Sequence, residues 1–160
     1  MSEPSAEDTP TVWDAALEAV AARLREVITD VPVETDRRSE PADDEFPLLV
    51  VAQEDDEPDN GEILGDTIYH QTIAVSGFHR AFGTENPETE ARRAVNRLRA
   101  RVVMALLEGW AFPEPIEQVL EAGCETTFYD TEESALPAGE FTARFTLDIR
   151  RPTGTAWVEP

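Results

Sequence analysis

The 160 residues, 17.8 kDa, suffice for one hydrophobic core and are too few for two. Acidic residues number 34 against 13 basic ones, a formal net charge of -21, so the long-range field repels duplex nucleic acid and anionic membranes and favours basic partners. Every basic residue is arginine, which excludes a phosphate-loop lysine and Schiff-base chemistry, and the single Cys124 excludes an intrachain disulfide.

No basic-then-apolar leader opens the sequence and no apolar run is long enough to cross a bilayer, so a cytoplasmic protein with no membrane partner is expected. Residues 1–10 are polar and acidic and predict a flexible N-terminus; residues 11–151 form the domain, and 152–160 a C-terminal tail. Trp13, Leu17, Val20, Leu24 and Val27 recur at helical spacing, with Thr11 and Asp14 as a capping start and Val31-Pro32 as the stop.

Residues 33–45 are charged and aperiodic, a connection or an extended edge. Phe46 to Ala52 is a short apolar run with the length of a strand buried on both faces, closed by the acidic cluster Glu54 to Asp59, which reads as a solvated turn. Ile63 to Phe82 is a second, long strand in which Gly77 marks a possible bulge. Asn86-Pro87-Glu88 opens a helix that runs to Glu108 and stops at Gly109.

Glu117 to Tyr129 and Gly139 to Arg151 close the domain as two strands. The second alternates, with Phe141, Ala143, Phe145, Leu147 and Ile149 inward. The expected fold is therefore α+β, an antiparallel or mixed sheet of four to five strands with two amphipathic helices packed on one face.

Sites for chemistry are scarce. His70 and His79 fall on opposite faces of an uninterrupted strand, so one shared metal site is not expected. The 54–61 stretch misses the calcium-loop register, with Asn60 where the glycine belongs if Asp55 is first. Ser76-Gly77 lacks both flanking glycines of a nucleophile elbow, occupied here by Ala74 and Phe78. No catalytic residue, metal ligand or cofactor is assigned, and the chain is not expected to be an enzyme.

The second helix carries a different signal. Ala91, Val95, Leu98, Val102, Ala105 and Leu106 form a core stripe, yet Ala100, Val103, Met104 and Leu107 fall on the opposite side. That surplus is tucked beneath the first helix or the Trp110–Phe112 segment, or it is a subunit interface. Arg92, Arg93, Arg97, Arg99 and Arg101 flank the core stripe while the anions crowd residues 43–66, so head-to-tail contact between copies would join opposite signs.

The order of elements resembles the tail terminator family of long-tailed, siphovirus-like phages, the group that includes the lambda minor tail protein U. The residues that carry it are the helix Val12 to Ile28, the strands Phe46 to Val51 and Ile68 to Val75, the helix Glu88 to Glu108, and the strand Phe141 to Ile149. The resemblance implies a virion structural protein, a hexameric ring at the head-proximal end of the tail. Such a ring halts polymerisation of the tail tube protein and meets a head-completion or connector protein, and DNA passes through it without specific binding. On that footing Glu54, Asp55, Asp56, Glu57, Asp59, Glu62 and Asp66 are expected at the lumen or a ring face. The rival expectation is an acidic DNA mimic or regulatory binding module.

Overall fold

The computed structural model describes residues 9–59, 65–83, 85–130 and 136–158. Along the chain lie α1 (Val12–Val27), β1 (Val33–Thr35), a 3-10 turn (Asp43–Glu45), β2 (Leu48–Asp59), β3 (Thr67–Arg80), α2 (Pro87–Leu107), β4 (Ile116–Asp130) and β5 (Pro137–Arg151). The strands form one mixed sheet in the order β1-β2-β3-β5-β4, with β1 parallel to β2 and every other pair antiparallel.

The alternation of β5 sets the layers. Phe141, Ala143, Phe145, Leu147 and Ile149 are fully buried, and the register aligns Val51 with Val75 and Val75 with Ala143, all on one face. Against that face pack Ala16, Leu17, Val20, Ala21 and Leu24 of α1 and Val95, Leu98, Val102, Ala105 and Leu106 of α2, in one continuous core. Both helices therefore cover the same side of an α+β sheet, as their apolar stripes require. Thr11 caps α1 through its hydroxyl, which accepts the Asp14 amide at 3.1 Å.

Three elements differ from the sequence reading. The acidic cluster is no turn: β2 continues to Asp59, with Glu57 opposite His70 and Asp59 opposite Ile68 after an irregularity at Gln53–Asp56. β3 imposes this extension by pairing, and Pro58 is tolerated because β1 covers β2 only from Leu49 to Val51, which leaves the rest of β2 an edge. Asn60 and Gly61, which follow β2 in the chain, lie outside the described residues.

Gly77 marks no bulge, since β3 and β5 pair without a break from Thr67 to Arg80. Instead the Phe141 ring occupies the space that a side chain at Gly77 would fill. The C-terminal stretch does not trail away within the described residues: Val158 donates to the Pro10 carbonyl at 3.1 Å and Val12 to that of Ala156 at 3.0 Å.

The sheet has two distinct ends. At one, β2 begins and β3 finishes; there Leu48 and Val50 are buried on the face away from the helices, and Phe46 stacks on Phe78 at 5.9 Å. At the other, β2 finishes in exposed acids and β3 begins. The 14 residues of β3 separate the ends by about 44 Å at roughly 3.4 Å per residue.

Candidate subunit interface

The six stripe residues of α2 are all buried, so the opposite side of that helix decides whether it offers a contact surface. Val103 and Leu107 are half-buried and pack with Trp110 against the core. Ala100 is exposed, and Met104 leaves 57% of its surface to solvent. The four residues thus divide in pairs, two leaning on the protomer and two facing outward.

Helix α1 lies alongside this outward pair. Arg23 donates from Nε to the Ala105 carbonyl at 3.0 Å, near the end of α2 where carbonyls lack helical partners, and Asp30 pairs with Arg101. Val27, between Arg23 and Asp30 in the chain, is a second exposed apolar side chain, with 44% of its surface open to solvent. Arg23 was not singled out from sequence, and no local pattern distinguishes a capping arginine 82 residues away.

The α2 arginines divide likewise. Arg99 pairs with Glu121 at 3.4 Å and Arg101 with Asp30, whose carboxyl its hydrogen bonds hold below the usual carboxylate range. Arg92, Arg93 and Arg97 are exposed, with no carboxylate partner among the described residues. Arg93, Arg97 and Arg101 recur every fourth residue and therefore stand in one row.

That row borders a groove of about 820 Å³ between α2, the end of β3 and the segment after α1. Arg80 enters it from β3, with its guanidinium over the Phe82 ring at 5.5 Å and its Nε buried without an acceptor among the described residues. Phe82 is 59% exposed. The acids of the lining are partly occupied: Asp30 by Arg101, and Glu90 by the Phe82 amide at 3.1 Å.

The acids expected at a lumen or ring face run from the middle of the sheet towards its far end. Glu54 is bound by Arg144 at 3.0 Å and Asp66 by Arg150 at 3.1 Å, both arginines projecting from β5 on the face away from the helices. Arg150 also engages Glu117 and so holds both carboxyls below their usual range. Asp59 lies 3.7 Å from His70. Asp55, Asp56 and Glu57 are exposed with no cation partner among the described residues, and Glu62 lies outside them.

His70 and His79 do fall on opposite faces: His70 aligns with Asp148, its Nδ1 at 2.6 Å, while His79 lines the groove. Among the described residues no group of three or more His, Cys, Asp or Glu side chains could hold a metal ion, and no helix is long and apolar enough to cross a membrane. The chain matches no protein-family model and no curated protein.

Proposed function

We propose that this protein is a structural component of a phage tail, of the tail-terminator kind, and acts by assembly and not by catalysis. Copies close into a ring, hexameric as in the family it resembles, at the head-proximal end of the tail. The ring stops growth of the tail tube protein and offers a face to a head-completion or connector protein. The carrying observation is the outward apolar surface of α2, with Met104 at 57% exposure, on a protein whose surface is otherwise strongly anionic.

Burial of that surface between copies supplies the association, and rim ion pairs supply orientation and salt dependence. A net charge of -21 suits a ring through which a genome passes, because like charge prevents phosphates from adhering to the wall. A second reading, an acidic DNA mimic, is favoured by the carboxylates of Asp55, Asp56 and Glu57 along an extended strand, which have no cation partner among the described residues.

Light scattering across protein concentration, alone and with tail tube protein, separates the two. Closed rings by negative-stain imaging are expected, and Met104→Glu is expected to abolish them without altering the unfolding midpoint. A protein that stays monomeric with tube protein present, and that instead captures a basic DNA-binding protein, overturns the terminator reading.

A further inference from the structure

We infer that the acidic arm of one copy, Asp55, Asp56 and Glu57 on β2, docks into the arginine groove of the next, against Arg80, Arg93 and Arg97. The inference rests on the assembly reading for its occupant, a second copy of this chain, and goes further in naming the two surfaces that meet.

Charge complementarity is the first argument. Among the described residues Arg93 and Arg97 have no carboxylate partner, and the buried Arg80 Nε has no acceptor. The groove's own acids do not supply one: Asp30 serves Arg101, Glu90 serves the Phe82 amide, and Glu85 is an exposed residue at its rim. In a chain with 34 acids and 13 arginines, Arg93 and Arg97, without a carboxylate partner among the described residues and on one concave face, are an unlike-charge target for the arm.

Spacing is the second. Helix residues four apart advance about 6.0 Å along the axis, so Arg93, Arg97 and Arg101 present a row with that repeat. Beyond the irregularity at Gln53–Asp56 the arm is extended strand, whose alternate residues advance about 6.6 Å, a repeat on the same scale. An extended acidic segment laid along α2 can therefore follow the arginine row, which a compact acidic turn could not do.

Position is the third. Groove and arm are set apart along the sheet: the arm pairs at Gln71 and His70 while the groove begins at His79 and Arg80, about 30 Å away at roughly 3.4 Å per residue, so no single chain can bring them together. The contact is heterologous, and repeated head to tail it generates a closed ring, or an open filament if the rotation does not close. The arm is accessible for it, because β2 beyond Val51 has no neighbour on its outer side among the described residues. This places Asp55, Asp56 and Glu57 between subunits and not facing passing DNA.

The test exchanges charge between the two surfaces. Arg93→Glu with Arg97→Glu reverses the groove, and Asp55→Arg with Asp56→Arg and Glu57→Arg reverses the arm. Each reversed protein alone is expected to associate roughly 100-fold more weakly than the parent by light scattering, because like charges now face each other. An equimolar mixture is expected to regain parental mass, since every reversed arm then meets a reversed groove in an even-membered ring. The neutral versions, Arg93→Gln with Arg97→Gln and Asp55→Asn with Asp56→Asn and Glu57→Gln, repeat the measurement where a reversal unfolds the chain, and are expected to weaken association in the same direction.

Rings that persist in either reversed protein overturn the docking and leave the ring reading intact, as does loss in both without rescue on mixing. Rescue that yields open filaments upholds the docking and removes the closed ring. A parent that stays monomeric even with tube protein overturns both.

Discussion

The Phe141 ring lies across Gly77 on the neighbouring strand, so that the core of the sheet depends on a side chain being absent at position 77. Both residues are buried and directly aligned between β3 and β5. Gly77→Ala is expected to destabilise by about 1–3 kcal/mol through overpacking, and Phe141→Ala by about 3–5 kcal/mol through the cavity left behind. Urea unfolding measures both, and a Gly77→Ala protein as stable as the parent would contradict the packing described.

Gln71 is fully buried on the helix-facing side of β3, and neither its Oε1 nor its Nε2 has a protein hydrogen-bond partner among the described residues. Gln71→Met keeps the volume and removes the desolvated amide. It is expected to stabilise by about 1–2 kcal/mol in the same urea assay. A loss of stability would show that the amide is satisfied in solution.

The hydrogen bond that His70 donates to the Asp148 carboxylate raises the His70 pKa above its ordinary 6.5, with Asp59 adding to the effect. Folding therefore favours the imidazolium, and its contribution is complete below 6.5 and fades as pH climbs through the raised value. The imidazole titration followed by NMR is expected to have its midpoint above 6.5, and Asp148→Asn to bring it down. An unmoved midpoint in the variant would remove Asp148 as the cause.

Burial pushes the Tyr129 phenol up to about 12, with the charges of Glu140, Asp43 and Glu40 acting in the same direction. Folding favours the neutral phenol, so stability is held up to pH 10 and falls between 10 and about 12. The ultraviolet absorbance of phenolate is expected to show a tyrosine ionising near 12 in the folded protein, and that step is expected to disappear in Tyr129→Phe.

Periodic features of the sequence translate directly into structure. The six-residue stripe of α2 and the alternation of β5 are both visible in order and in identity, because burial on one face imposes a period that composition alone can show. The acidic extension of β2 is not visible, since Asp, Glu and Pro all disfavour strands and only the partner β3 holds residues 56–59 extended. The groove is equally hidden: Asp30, Pro47, Arg80 and Arg93 come from separate parts of the chain and share no local pattern. The arginines of β5 alternate visibly with its core residues, but their choice of Glu54, Glu117 and Asp66 depends on strand order, which sequence does not reveal.

Among the described residues β4 pairs on one side alone, and its 15 residues carry Glu117, Glu121, Glu125 and Asp130 along the sheet's open border. Carboxylates there act as gatekeepers against stray strand addition, because two such borders repel each other. Near the isoelectric point of about 4.2 the net repulsion between whole molecules vanishes, so precipitation near that pH should begin by lateral β-pairing of folded molecules before any loss of their cores.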